Sequence, residues 1–131
     1  MYEYFEPNPV RSGAIDCSTR ALAKALDISW ERAYVIKSLN GFLMGNEGVA
    51  DEVWGSVLRQ HGFKRKMVPD ACPDCYTVDM FCEDNPRGTF VIKSEDHVAT
   101  VKDGTLFDSW PSGGKSVIYY WYKADEQGKT E

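Results

Sequence analysis

The most constraining stretch of this chain runs from His97 to Trp110, where two β-rich segments meet at Asp103-Gly104. An Asp-Gly pair between such segments predicts a two-residue hairpin turn, because both central positions require positive φ. A turn of that length fixes the register: Lys102 faces Thr105, Val101 faces Leu106, Ala99 faces Asp108, and His97 faces Trp110. His97 and Asp108 then become diagonal neighbours, with Cβ atoms roughly 7 Å apart or less, within reach of an imidazole to carboxylate hydrogen bond. Ala99, Val101, Leu106 and Trp110 share their face, and Val98, Thr100, Lys102, Thr105, Phe107 and Ser109 alternate onto the other. A one-residue slip would put His97 and Asp108 on opposite faces.

Upstream of this hairpin the pattern is helical. Residues 4–15 carry two prolines, an asparagine and a glycine, and read as an extended segment. Asp16 is placed to cap a helix over 17–26, in which Ala21, Leu22, Ala25 and Leu26 form the apolar stripe and Arg20 and Lys24 fall off it. Ser29 caps a second helix from Trp30 to about Leu39, with Asn40-Gly41 as its stop. Asp51 caps a third, on which Val53, Trp54, Val57, Leu58 and His61 share one side before Gly62 ends it. A strand over 63–68, a loop over 69–76, and a short helix capped by Thr77 and running to about Glu83 follow. Strands at 89–93 and 117–123 flank the hairpin, and 124–131 form a polar tail. Helices first and strands after them predict one α+β domain over 1–131, with N-terminal helices packed on one face of a C-terminal antiparallel sheet.

If the first helix crosses the hairpin's apolar face, its N-terminus brings Cys17 to His97. A thiol in the first helical turn feels the positive end of the helix dipole, and an adjacent imidazolium lowers its pKa further. Asp108 would orient the imidazole, and Trp110 would shield the His-Asp hydrogen bond from water. Each residue alone has a bland reading, Cys17 as a small buried side chain and His97 as a structural strand residue. Their joint placement favours a nucleophile, base and orienting residue.

These residues resemble a known group. Asp108-Ser109-Trp110 is similar to the Asn-Ser-Trp segment of papain-like cysteine peptidases, with Asp in place of Asn; His97 begins a strand upstream, and Cys17 precedes both. Asp16-Cys17-Ser18 also resembles the Asp-Cys-Ser of bacterial cell-wall endopeptidases of that fold, and Asp16-Cys17 with its downstream His and Asp resembles the bacteriocin-leader peptidases. The resemblance spans roughly residues 16 to 110 and implies a papain-like fold, with Cys17 as nucleophile, His97 as base and Asp108 as orienting residue. It implies a bacterial or phage peptidase or amidase acting on a peptide or protein through a thioester, with no cofactor. Glutamine deamidation and acyl transfer use the same chemistry, and a non-catalytic binding or inhibitory protein could keep the same scaffold. The sequence departs from the group where it usually places an oxyanion-binding Gln, about six residues before the nucleophile. Arg11 stands there, leaving Arg11, Asn8, Ser12 and the backbone N–H of Cys17 as candidate donors.

Composition narrows the alternatives. With 15 basic against 20 acidic residues the net charge is −5. The only basic run, Lys64-Arg65-Lys66, reads as a solvated strand end, so no nucleic-acid partner is expected. The N-terminal residues lack a signal-peptide pattern and no stretch reaches membrane-spanning length, which predicts a cytoplasmic protein without a membrane partner. Of the four cysteines, Cys72, Cys75 and Cys82 cluster while Cys17 stands alone, a placement that suits reduced thiols better than a disulfide framework. Cys72-Pro-Asp-Cys75 is a weak zinc candidate, with Cys82 as third ligand and His61 as fourth, because a second Cys-x-x-Cys pair is missing. A redox pair and a zinc-stabilised interaction module are the remaining readings of that loop.

Overall fold

A computed structural model describes residues 1–10, 16–69 and 76–123 of the chain. The fold is α+β, with four helices and a six-stranded mixed sheet among the described residues. In chain order the elements are β1 (Tyr2–Tyr4), α1 (Cys17–Leu26), α2 (Trp30–Met44), α3 (Asp51–Gln60), β2 (Phe63–Met67), α4 (Val78–Asp84), β3 (Thr89–Lys93), β4 (Val98–Lys102), β5 (Thr105–Asp108) and β6 (Tyr119–Lys123). The sheet runs β1-β5-β4-β3-β6-β2. The loop around Cys72 and Cys75 and the tail over 124–131 lie outside the described residues.

The β4–β5 hairpin forms in the register that the Asp-Gly turn dictates, with Lys102 opposite Thr105 and Val101 opposite Leu106. Asp103 and Gly104 both have positive φ, 51° and 77°, which is the backbone of a turn matching the strands' own twist. Asp103 also anchors the turn sideways, since its carboxylate accepts from the Gly88 N–H at 3.0 Å and its own N–H donates to the Gly88 carbonyl at 2.9 Å.

Helices cover both faces of the sheet, which corrects the expectation of a single helical layer. Ala99, Val101 and Leu106 pack with Phe90, Ile92 and Val117 against Val78, Phe81 and Cys82 of α4. The opposite face presents Val91, Val98, Tyr119 and Trp121 to Ala21, Leu22 and Ala25 of α1 and to Trp54, Val57 and Leu58 of α3. The hairpin face expected to meet α1 therefore meets α4, and α1 crosses the alternate face. Thr100 shows why a polar residue is tolerated there: its hydroxyl donates to the Ala21 carbonyl at 2.7 Å, satisfying a fully buried group.

Four further boundaries differ from the sequence reading. The sheet is not wholly antiparallel, because β1 pairs in parallel with β5, Tyr4 opposite Asp108. The second helix runs on to Met44 and ends at Gly45 with φ 67°, so Asn40-Gly41 lies inside it. Gly41 serves a close approach instead: a Cβ there would sit 2.8 Å from the Asn46 carbonyl oxygen, which folds back over the last turn. Asp51 is the first residue of α3 and not its cap, a place taken by Ala50. The last strand begins at Tyr119, since Val117 and Ile118 give their N–H groups to the Tyr76 and Lys93 carbonyls.

Candidate active site

Helix α1 begins at Cys17, yet Asp16 makes no side-chain cap. Its carboxylate instead accepts from Arg20 Nη1 at 2.8 Å, Trp30 Nε1 at 3.0 Å and Asn8 Nδ2 at 3.2 Å. The first-turn N–H groups are thus left without a carboxylate cap, and the thiol sits at the positive end of the helix. Arg20, which the apolar periodicity placed off the buried stripe, is 6% exposed. Its second guanidinium nitrogen reaches Asp108 Oδ1 at 3.2 Å, and Nη1 also lies 3.8 Å from Glu6. A single cation therefore ties the start of α1 to the end of β5.

Asp108 is fully buried and every part of it is engaged. Oδ2 accepts from His97 Nε2 at 2.6 Å and from the Ser112 hydroxyl, while Oδ1 accepts from the Ser109 N–H at 2.7 Å. Its backbone carbonyl accepts from the Phe5 N–H at 2.7 Å and the Tyr2 hydroxyl at 3.1 Å, so β1 clamps it from the sheet edge. Burial alone would raise the carboxyl pKa, but the hydrogen bonds from His97 and Ser112 and the charge on His97 hold it below its ordinary value.

His97 lies one residue before β4, outside the strict alternation of the strand, and Asp108 is the last residue of β5. Placed at the end of the sheet, the pair reaches the α1 terminus even though Ala99 and Val101 face the other way. With Nε2 given to Asp108, the Nδ1 side of the ring is left for the sulfur, and the Cys17 and His97 side chains are hydrogen-bonded. Burial pushes the imidazole pKa down, but the hydrogen bonds with Asp108 and Cys17 outweigh it and raise it to about 9. Burial likewise pushes the thiol up, yet the hydrogen bond with His97, the Val98 backbone N–H and the charges of His97 and Arg20 bring it below its ordinary value of 9.0. The two groups thus shift in opposite directions, the thiol toward the thiolate and the imidazole toward the imidazolium, which are the directions that favour an ion pair between them. Trp110 covers the imidazole, ring centroids 5.0 Å apart, while remaining 42% exposed itself.

Cys17 and His97 line a cavity of about 180 Å³ together with Asp51, Trp54 and Asp96, while Asp108 lies behind the imidazole and Trp110 beside it. Asn8 lies beside the helix start as part of the Asp16 network and accepts from the Val10 N–H at 3.0 Å. Arg11 and Ser12 lie outside the described residues. Of the zinc candidates, Cys82 is buried in the α4 core, with its thiol pKa raised by that burial. His61 is exposed at the end of α3, correcting its expected place on the buried side, and its Nδ1 donates to the Val57 carbonyl at 2.8 Å. No group of three or more metal-binding side chains converges among the described residues.

Three site residues escaped the sequence reading. Arg20 had a signal, since Asp16 and Arg20 stand four apart on one helix, the spacing of an ion pair. Ser112 and the buried Lys37, whose Nζ donates to the Ser18 hydroxyl at 3.0 Å, had none. Compared with known protein families, characterised proteins and solved structures, the chain finds no match. Among the described residues, no helix is long and apolar enough to cross a membrane.

Proposed function

We propose that this chain is a small cysteine-dependent amide hydrolase, a peptidase or amidase on a papain-like scaffold. One observation carries the reading: Cys17, the first residue of α1, and His97, whose Nε2 is 2.6 Å from fully buried Asp108, line the same cavity. In this reading the Cys17 thiolate attacks the amide carbonyl carbon, forming the C–S bond and placing negative charge on the carbonyl oxygen. The Cys17 backbone N–H, at the helix start, is the donor assigned to that oxygen. The tetrahedral intermediate collapses with C–N cleavage as the imidazolium gives its Nδ1 proton to the leaving nitrogen, leaving a thioester. Neutral His97 then takes a proton from water, whose oxygen attacks the thioester; the acid departs and the thiolate–imidazolium pair returns. Asp108 keeps Nε2 protonated throughout, and Arg20 holds its other oxygen.

The test is hydrolysis of a pool of fluorogenic peptide amides, run beside labelling by a peptidyl acyloxymethyl ketone. The expected result is turnover together with a single adduct on Cys17, both lost in Cys17→Ala while the other three cysteines remain. Adduct formation at equal rate in Cys17→Ala would overturn the proposal.

A further inference from the structure

Beside the start of α1 lies a second, larger cavity of about 500 Å³, walled by Asp16 and Thr19 of the α1 start, by Trp30, Tyr34 and Lys37 of α2, and by Val49. Val49 also lines the Cys17 cavity, and Ser18 of that cavity holds Lys37, so the two concavities adjoin across the first turn of α1. We infer that this cavity is a substrate subsite for an acidic side chain, whose carboxylate pairs with Lys37. The inference rests on the proposed hydrolase reading and names the substrate feature that this site selects.

Lys37 is the anomaly that calls for such a ligand. It is 4% exposed, and an ammonium has three N–H groups to satisfy. Its hydrogen bond is to the neutral Ser18 hydroxyl, and no carboxylate lies within ion-pair distance of it among the described residues. Asp16, which lines the same cavity, is occupied by Arg20, Trp30 and Asn8. Glu47 also lines the cavity but is exposed and not paired with Lys37. Buried charges are stable when paired, and burial accordingly depresses the Lys37 pKa against the opposing charges of Cys17 and Asp16. An incoming carboxylate would supply the missing partner inside a partly desolvated site, where such a bond is strong.

The walls suit the rest of an acidic side chain. Trp30 and Tyr34 stack at 5.2 Å with an interplanar angle of 23°, giving a flat apolar surface for methylene groups. Phe42, 81% exposed, stands at the rim and extends that surface outward. The side of the scissile bond also follows. His97 must protonate the leaving nitrogen, so the leaving group lies toward His97 and Trp110, neither of which lines this cavity. The cavity serves the acyl side.

The probes are four dipeptide chloromethyl ketones, with Glu or isosteric Gln at the first or second residue from the reactive carbon. At one of those positions the Glu probe is expected to alkylate wild-type Cys17 about tenfold faster than its Gln partner, the scale of a charge-assisted hydrogen bond. In Lys37→Met the Glu to Gln ratio should fall to near one; the ratio is taken within each protein, so a general loss of thiol reactivity cancels. Ser38→Trp, which fills the cavity from an exposed position and leaves Lys37 in place, should abolish the ratio as well and decides the matter if Lys37→Met does not fold. Equal Glu and Gln rates in the wild type, or a ratio that survives either folded variant, would overturn the subsite. Iodoacetamide serves as the control for the underlying reading: alkylation of Cys17 no faster than that of an unfolded cysteine at pH 6 sinks the hydrolase proposal itself, whatever the ratios show.

Discussion

On the α4 face of the sheet, Phe81 packs its ring against Phe90 at 5.0 Å and Tyr120 at 4.8 Å, and the buried cluster around them is apolar throughout. On the α1 face the apolar cluster is bordered by buried Asp16, Arg20, Lys37 and Asp108. The first face is held by area and dispersion, which tolerate exchange of one hydrocarbon for another of similar volume. The second depends on charges that are stable only while their partners stay in place. This difference separates the part of the molecule that holds the sheet from the part that holds Cys17, His97 and Asp108 in line, and substitutions should divide accordingly.

The largest effect is expected from Arg20→Met, which takes the shared guanidinium partner from two buried carboxylates, Asp16 and Asp108. Unpairing a buried ion pair costs about 3–5 kcal/mol, and with two carboxylates affected the upper end is expected. Chemical denaturation measures the stability, and iodoacetamide kinetics on the folded protein should show slower Cys17 alkylation, because the thiol loses a nearby positive charge that lowers its pKa. A stable, fully reactive Arg20→Met protein would erase the proposed contrast between the faces. Phe81→Ala should cost somewhat less, about 3–4 kcal/mol, from the cavity left among Phe90 and Tyr120. Here the reactivity of Cys17 in the remaining folded fraction should match the wild type, since the Phe81 ring packs in the apolar cluster with Phe90 and Tyr120.

A pH comparison sharpens the same division through the linkage of each group. His97, raised from 6.5 to about 9, contributes stability that is fully present below pH 6.5 and lost as pH rises through about 9. Cys17, lowered from 9.0, contributes stability that is present above pH 9.0 and lost as pH falls through its lowered pKa. In the wild type these slopes oppose each other below pH 9, so thermal melts should show a flatter profile than His97 alone would give. Cys17→Ala removes the thiol's contribution and the part of the His97 shift that Cys17 causes, but Asp108 still raises the imidazole, so its melting temperature should fall more steeply than the wild type's as pH rises from 6.5 through the imidazole's pKa. Parallel profiles for the two proteins would show that the thiol and imidazole do not share a proton.

What the sequence made legible was local. The Asp103-Gly104 turn encodes its own backbone conformation, so the hairpin register and the nearness of His97 to Asp108 follow from two residues. The helix at Cys17 was equally readable from its stripe. Long-range choices were not. Alternation separates the two faces of β4 without saying which one α1 covers, because Val98 and Thr100 on one face and Ala99 and Val101 on the other are both buried. The strand Tyr2–Tyr4 is too short for periodicity and pairs with residues a hundred positions away. Gly41 reads as a helix stop from its type, and only the approach of Asn46 gives it another purpose. Burial of Arg20 and Lys37 runs against the ordinary exposure of charged residues; the tertiary position of Asp108 accounts for the first, and among the described residues Lys37 has the Ser18 hydroxyl alone.

The smallest effect concerns helix termini, where the two faces again differ. Thr77 caps α4 in the ordinary way, its hydroxyl accepting from the Met80 N–H at 3.3 Å. At α1 the equivalent residue, Asp16, turns its carboxylate away to Arg20, Trp30 and Asn8. Thr77→Ala should therefore cost about 1 kcal/mol and leave Cys17 alkylation unaltered, because an α4 cap only supports packing. Asp16→Ala removes no cap, yet it deprives Arg20 of its closest partner, so its cost should exceed that of Thr77→Ala and be accompanied by slower alkylation of Cys17. Urea titration and iodoacetamide kinetics on the two variants side by side decide the point. If Asp16→Ala loses only about as much stability as Thr77→Ala and keeps full thiol reactivity, Asp16 acts as a plain cap and the charge network does not reach the nucleophile.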